Sequence, residues 1–169
     1  LTISGGGNAL NLAPLNNITS ITGTLFITGV SNNQVNIFPN LTTVGNGIAI
    51  QSNTFQQFGG FNSFITLTSG SLQFLSNSQL QTISGFNSLN SITSSNLAFV
   101  TNNNLEVINA FSSLQTVNGL LIRDTKLTNL NFLSSLQINN GQLSIEANPL
   151  LTNATFPNMV NHNFSNGIT

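Results

Sequence analysis

The side chains that could take part in acid–base chemistry are few and widely separated. Three carboxylates, Glu106, Asp124 and Glu146, and one histidine, His162, make up the whole set. Two carboxylates within about 10 Å could hydrolyse a glycosidic bond, and a Ser-His-Asp arrangement could activate a nucleophile. No motif indicates either arrangement, because the chain lacks the Gly-x-Ser-x-Gly turn that presents such a serine. We therefore predict no catalytic residues and no enzymatic activity.

Metal and cofactor sites are not predicted either. The chain has no cysteine, and His162 stands alone between Asn161 and Asn163 in the less regular C-terminal part, where we expect a solvated loop. A metal site needs several such ligands close together. The glycine run Gly5-Gly6-Gly7 has no following lysine, so it does not match a phosphate-binding loop.

The balance of charge excludes two classes of partner. Charged residues make up only 3% of the chain, its formal net charge is −1, and Arg123 and Lys126 are its only basic side chains. Binding to nucleic acid or to an anionic membrane surface needs a cluster of basic residues. No apolar stretch reaches the roughly 20 residues that span a bilayer. We predict no nucleic-acid partner and no membrane span.

A strand motif of two apolar residues around a variable one recurs along the chain. Such alternation is typical of a strand with one buried face. The copies lie 23 to 25 residues apart, which is the length of one coil of a repeat protein. They are Leu1–Ile3, Leu25–Ile27, Ile48–Ile50, Leu72–Phe74, Leu97–Phe99, Leu120–Ile122 and Leu143–Ile145. We predict a single domain over residues 1–169, a right-handed parallel β-helix (a β-solenoid) of about seven coils.

Two internal columns are expected, because equivalent residues of successive coils stack about 4.8 Å apart. The first is a phenylalanine-rich spine formed by Leu15, Phe38, Phe61, Phe86, Phe111, Leu133 and Phe156. The second is a ladder of side-chain amides that satisfies backbone groups at a bend, formed by Asn53, Asn77, Asn102 and Asn148. Gly6, Val30 and Thr125 interrupt this ladder, so we expect their coils to be less regular.

The pattern resembles the receptor L domain, the leucine-rich β-helix of growth-factor receptors and of many microbial and fungal surface proteins. Residues 38–44 (FPNLTTV), 80–89 (LQTISGFNSL) and 114–119 (LQTVNG) carry the resemblance, which covers nearly the whole chain. It implies leucine-rich coils and an extracellular location at a cell surface. It implies no particular ligand. The lack of cysteine and of surface charge makes the chain more similar in composition to the microbial surface proteins than to the receptors.

A row of hydroxyl side chains is predicted on one flat face of the solenoid. Each member comes one residue before the last inward apolar residue of its coil, and the row contains Ser20, Thr43, Thr66, Ser91 and Thr116. A regular, uncharged hydroxyl row on a rigid solenoid is what an ice-binding surface requires. The alternative is that this family of coils simply favours Ser or Thr at the bend.

Two further surface features follow from the repeat. Arg123 and Glu146 each come directly after a strand, one coil apart, so we predict a surface ion pair worth about 0.2–1 kcal/mol. Four Asn-x-Ser/Thr sequences are candidate N-glycosylation sites if the chain passes through a eukaryotic secretory pathway, and Asn17 and Asn40 should face outward on the same edge. The four are Asn17, Asn40, Asn153 and Asn163.

The ends of the sequence show no polar capping coil. Leu1–Ile3 is already a repeat strand, and Gly167–Thr169 falls where an eighth would start. We expect the chain to be part of a longer protein or of an end-to-end assembly. The leading functional hypothesis is an extracellular, filament-forming structural or adhesive protein whose partner is itself, through end-to-end or lateral stacking. Ice binding, and recognition of cell-surface proteins or glycans by a receptor ectodomain, are the alternatives.

Overall fold

The chain forms a parallel β-solenoid of about six turns. A computed structural model describes residues 1–139, 141–159 and 161–162. Seven strands stack along the main face, and the six intervals between them account for the six turns, where the sequence predicts about seven coils. The candidate glycosylation residue Asn163 and the expected eighth strand at Gly167–Thr169 lie outside the described residues.

Short strands and two 3₁₀ helices make up the regular structure of the described residues. The 3₁₀ helices are Ala13–Asn17 and Asn131–Leu133. The strands in chain order are β1 (Thr2–Asn8), β2 (Ser20–Ile21), β3 (Leu25–Val30), β4 (Gln34–Ile37), β5 (Thr43–Val44), β6 (Ile48–Gln51), β7 (Gln57–Gly60), β8 (Thr66–Leu67), β9 (Leu72–Leu75), β10 (Thr82–Gly85), β11 (Ser91–Val100), β12 (Val107–Ala110), β13 (Thr116–Arg123), β14 (Ile138–Asn139), β15 (Leu143–Glu146) and β16 (Asn161–His162).

Each turn contributes to three faces of the solenoid. The main face stacks β1, β3, β6, β9, the second half of β11, the second half of β13, and β15. A four-strand sheet contains β4, β7, β10 and β12. The third face stacks the two-residue strands β2, β5 and β8 with the first residues of β11 and β13, and then β14 and β16. The backbone of His162 therefore lies in β16, and the sequence-based expectation of a loop there is wrong.

The strands pair equivalent residues of successive repeats. Leu25 lies beside Ile48, and Ile48 lies beside Leu72, as the sequence alignment of the repeats requires. The strand pairs of the described residues are all parallel, with inward positions buried and outward positions partly exposed. The apolar core is one continuous column, because each coil buries its inward residues against the coils above and below.

The spine phenylalanines sit at a corner where the backbone turns through a left-handed conformation. Phe38, Phe61, Phe86 and Phe111 have φ between 50° and 63°, a region that costs a non-glycine residue about 1–2 kcal/mol. All four side chains are fully buried, and burying a phenylalanine contributes about 1.5–3 kcal/mol. Burial thus offsets the strain, and the same unusual corner repeats in four consecutive coils.

Glycine precedes the corner phenylalanine in two coils for a steric reason. Gly60 and Gly85 have φ of 109° and 89°, so two left-handed residues follow one another there. A Cβ on Gly60 would approach the Ile37 carbonyl oxygen to 1.9 Å, and a Cβ on Gly85 would approach the Gly60 carbonyl oxygen to 2.1 Å. Only glycine permits this close approach of adjacent coils.

The spine stacks as its spacing predicts over its central part. Ring centroids lie 5.3 Å apart for Phe38–Phe61, 4.4 Å for Phe61–Phe86 and 5.4 Å for Phe86–Phe111. Leu133 continues the buried column. Leu15 and Phe156, the outermost members, are only partly buried.

The buried asparagines form a hydrogen-bonded ladder along the second corner. Asn53 donates its side-chain Nδ2 to Asn77 Oδ1 at 2.9 Å, and Asn77 donates to Asn102 Oδ1 at 3.1 Å. Each Nδ2 also donates to a strand carbonyl of an earlier coil, such as Ile50 O for Asn77 at 3.0 Å. Each Oδ1 in turn accepts the backbone N–H of the residue at the same position in the preceding coil, Val30 for Asn53 at 3.0 Å and Asn53 for Asn77 at 3.1 Å. The ladder therefore provides hydrogen-bond partners for the buried side-chain amides and for the neighbouring backbone groups.

The ladder is interrupted between Asn102 and Thr125, as the sequence predicts, because Asn102 Nδ2 donates to the Val100 carbonyl rather than to Thr125. Thr125 is bonded only to the following coil of the ladder. Its Oγ1 donates to Asn148 Oδ1 at 2.7 Å, and its N–H donates to the same oxygen at 3.1 Å. The hydroxyl supplies the donor toward the next coil, but it does not accept from Asn102 as an asparagine amide does at this position. Asn148 completes the corner by donating to Ile122 O at 2.9 Å.

Replacing Asn77 by alanine should destabilise the fold strongly. The change leaves the Asn53 N–H and the Ile50 carbonyl without these partners inside the core, so we expect the free energy of unfolding to fall by about 3 kcal/mol. Urea denaturation measures it. Asn103→Ala is the matched control, because Asn103 is exposed, and it should change stability by less than about 0.5 kcal/mol. Equal losses in the two variants would contradict the structural role of the ladder.

Candidate functional site

The third face carries the predicted hydroxyl row, and we call it the hydroxyl face. Ser20 pairs with Thr43 in register, and Thr66, Ser91 and Thr116 are neighbours in successive coils. Thr43 Oγ1 donates to Ser20 Oγ at 2.9 Å, and Ser91 Oγ donates to Thr66 Oγ1 at 3.4 Å. Strand register therefore joins the row in two parts, Ser20–Thr43 and Thr66–Ser91–Thr116, and part of its hydrogen-bonding capacity is used within the face.

A second row runs beside the first, two residues further along each coil. Thr22, Thr68 and Thr93 are exposed members of it. Sequence reasoning missed this row, although the alternation Ser-x-Thr, Thr-x-Thr and Ser-x-Thr at these three coils indicates it. Gly45 and Asn118 take the same position in two other coils, so the second row is less uniform than the first.

A groove of about 720 Å³ opens where the four-strand sheet stops at β12. The following coil does not pair with β12 and instead runs through the 3₁₀ helix Asn131–Leu133. Phe132 turns inward, and its ring packs edge-on against Phe99 with centroids 5.9 Å apart. We call this space the edge groove; Val107, Ile108, Asn109, Ala110, Leu127, Thr128, Asn129, Asn131, Phe132 and Ser134 line it.

The open edge of β12 presents backbone groups to this groove. Val107 donates its N–H to the Gln81 carbonyl of the preceding coil at 3.1 Å. Because peptide groups alternate in direction along a parallel strand, those of Ile108 and Ala110 point to the other side, toward the groove. An unpaired strand edge with a neighbouring cleft is a place where an extended peptide can add as a further strand.

One pair of charged side chains, Lys126 and Glu106, lies at the edge groove, and Glu106 is part of its lining. Lys126 Nζ lies 3.9 Å from Glu106 Oε1 and donates to Asn104 Oδ1 at 2.9 Å. This cluster escaped sequence reasoning, because Lys126 and Glu106 are at different points of their coils. The shorter spacing from Leu105 to Leu127, compared with other pairs of coils, is the signal that brings them together.

The predicted ion pair between Arg123 and Glu146 is wrong. The two residues are neighbours in the β13–β15 register, as the repeat indicates. Arg123 Nε lies instead 3.3 Å from Asp124 Oδ2, and Glu146 Oε1 accepts a hydrogen bond from Ser144 Oγ. Asp124 occupies the left-handed corner, with φ of 55°, and this turn brings its carboxylate back to the preceding arginine.

Three of the four candidate glycosylation residues lie within the described chain and are exposed. Asn17 ends the first 3₁₀ helix, and Asn40 lies one coil further on with its Nδ2 donating to Asn16 O at 2.9 Å. This contact places Asn40 on the same edge as Asn17. Asn153 is exposed near the end of the described region.

Among the described residues, no three His, Asp or Glu side chains come together in a way that could hold a metal ion. No helix in the described part of the chain is both long enough and apolar enough to cross a bilayer.

Substitutions in the two threonine rows test whether the hydroxyl face binds ice. If the face binds ice, the purified chain shows thermal hysteresis, and the triple variant Thr43→Tyr, Thr66→Tyr, Thr93→Tyr loses nearly all of it because bulky rings break the plane. Nanolitre osmometry measures the effect. A triple variant on the four-strand sheet, Gln57→Tyr, Ser84→Tyr, Asn109→Tyr, is the control and keeps the activity. No hysteresis in the parent chain ends this hypothesis.

Comparison with known proteins gives no relative. No sequence profile of a protein family, no curated protein and no solved structure matches the chain significantly.

Proposed function

We propose that this chain is an extracellular surface module with a structural or adhesive role that associates with copies of itself. Its coils are right-handed and of the receptor-L type in this proposal, which assigns the chain no catalytic activity. The observation that carries the proposal is a rigid, laddered rod whose long faces are almost free of charge. Its polar surface is made instead of amides and hydroxyls.

The distribution of charge supports self-association. The five charged side chains all lie in residues 106–146, and four of them form the pairs Arg123–Asp124 and Lys126–Glu106. The hydroxyl face around β2, β5 and β8 carries none of them. Soluble proteins resist association through net charge well away from zero, and this chain has a formal net charge of −1. Little electrostatic repulsion therefore opposes the lateral or end-to-end contact of two copies.

The rigidity of the rod supports the same proposal. Backbone hydrogen bonds, the asparagine ladder and the phenylalanine spine all connect one coil to the next, so bending would break several of them at once. A stiff rod with repeating faces presents the same contact many times along its length. Weak contacts repeated in this way add up to stable association.

Assembly should persist across salt concentrations. Because the faces lack charges to be screened, we expect assemblies in electron micrographs and in sedimentation velocity at both about 0.02 M and about 0.5 M NaCl. The triple variant Thr22→Lys, Thr68→Lys, Thr93→Lys should dissociate lateral assemblies at low salt and restore them at high salt. Gln57→Lys, Ser84→Lys, Asn109→Lys on the four-strand sheet is the matched control. A parent chain that stays monomeric under both conditions would overturn the proposal.

A second candidate function is recognition of an extended, uncharged peptide segment of a partner protein. The edge groove favours it, because β12 offers unpaired backbone groups and its floor is formed by the buried residues Ile108, Ala110 and Leu127. Its rim is polar and uncharged apart from Glu106, which Lys126 accompanies. A volume of about 720 Å³ lies within the usual range of binding clefts, about 300–1,000 Å³.

Peptide addition to β12 can be measured with a peptide that copies residues 81–86, QTISGF, because this segment already pairs with β12 from the other side. Thr128→Trp fills the groove and should weaken binding at least about tenfold, which corresponds to about 1.4 kcal/mol. Thr93→Trp on the hydroxyl face is the control and leaves binding unchanged. Isothermal titration calorimetry measures the affinity of both variants for the peptide. Absence of binding to the parent chain at millimolar peptide removes this candidate.

A further inference from the structure

The single lysine of the chain lies against a side-chain amide and a carboxylate. Lys126 Nζ donates to Asn104 Oδ1 at 2.9 Å and lies 3.9 Å from Glu106 Oε1. The three residues come from two successive coils. An amine, a carboxamide and a proton acceptor in contact are the groups that an amide-exchange reaction needs.

The backbone and a further hydrogen bond hold these groups in place. Lys126 donates its N–H to the Leu105 carbonyl at 2.9 Å, which fixes the two coils side by side at this point. Asn104 donates Nδ2 to the Ser78 carbonyl at 2.8 Å, on the coil before. The amide is therefore held with its nitrogen toward Ser78 and its carbonyl group toward the lysine.

We propose that Lys126 and Asn104 form an intramolecular isopeptide bond. Glu106 accepts a proton from Lys126 Nζ, and the neutral amine attacks Asn104 Cγ. The new Nζ–Cγ bond forms as the Cγ–Nδ2 bond breaks. Nδ2 takes one proton from the attacking nitrogen and leaves as ammonia, which then takes the proton held by Glu106. The overall exchange therefore converts an ammonium group and a primary amide into a secondary amide and an ammonium ion. No oxidant, metal or cofactor enters the balance.

Proximity is the main source of acceleration at this site. Groups held in contact react as if present at effective concentrations of about 10⁵–10⁸ M, and a positioned proton acceptor adds about 10²–10⁴-fold. The site is open to water, with 43% of the Lys126 side chain and 58% of the Glu106 side chain exposed. Water competes for the same hydrogen bonds, so we expect slow formation after folding rather than a rapid reaction.

The position of the bond gives it a structural purpose. It would join the two coils at the point where backbone pairing between them stops. After Lys126 N to Leu105 O, the next backbone hydrogen bond between these coils in the described structure is Gln137 N to Gln115 O. The edge groove occupies the interval. A covalent bond beside it would hold these two coils together where backbone hydrogen bonds between them are absent in the described structure.

Mass spectrometry and trypsin test the proposal on the intact chain. Formation of the bond lowers the mass by about 17 Da, the mass of ammonia, and yields a linked peptide that contains Asn104 and Lys126. Asn-Gly pairs such as Asn46-Gly47 and Asn118-Gly119 can also lose ammonia by closing to a succinimide, so mass alone does not decide. Acylation also removes the trypsin site after Lys126. The parent chain, incubated after folding, should gain the linked peptide and lose cleavage there.

Variants separate the bond from an ordinary hydrogen bond. Lys126→Arg keeps the positive charge but lacks the amine, and it should form no linked peptide. Glu106→Gln removes the proton acceptor and should slow formation at least about tenfold. Asn103→Ala is the control and should form the bond at the parent rate. A fully folded parent chain that is cleaved completely after Lys126 and yields no linked peptide after prolonged incubation would overturn the proposal. That result would leave self-association and peptide binding untouched.

Discussion

The fold depends on one constraint: equivalent residues of successive coils must lie in register. The asparagine ladder enforces it from inside the core. Asn77 accepts from the Asn53 backbone and side chain, and donates both to Asn102 and to the Ile50 carbonyl. A shift of one residue would remove all four contacts and leave buried polar groups unpaired, at about 1–3 kcal/mol each. The ladder therefore specifies alignment more strongly than apolar packing, which tolerates exchange among similar side chains.

Register also explains why an unfavourable backbone conformation recurs. The chain must turn sharply at each corner to return to the next strand, and it does so with left-handed residues at Phe61 and at Ser76, for example. At one corner the phenylalanine is buried in the spine, and at the other the turn delivers the following asparagine to the ladder. Each strained corner thus places one particular side chain in the core, so the strained backbone conformation and the buried side chain recur together from coil to coil.

The features that could carry function lie where this regularity is lost or is free to vary. The hydroxyl face is on the outside, where the fold requires little beyond a β-compatible polar residue. The edge groove and the Lys126–Asn104–Glu106 cluster lie where the coil containing the second 3₁₀ helix leaves the outer edge of β12 unpaired. Low charge along the remaining faces makes contact between rods feasible. The few charged residues are confined to residues 106–146.

The sequence by itself determined the repeat, the parallel stacking, the phenylalanine spine and the asparagine ladder, because a fixed period makes each position predict its neighbours above and below. It also showed the scarcity of acid–base groups. Only the tertiary structure decided how the coils differ: Arg123 turns to Asp124 rather than to Glu146, Thr125 bonds to Asn148 through its hydroxyl, and β12 ends its sheet. These outcomes depend on side-chain direction and on the path of the coil that contains the second 3₁₀ helix. The repeat period reflects only what the coils have in common. It therefore predicts the stacked solenoid, but not the positions where single coils depart from the repeat.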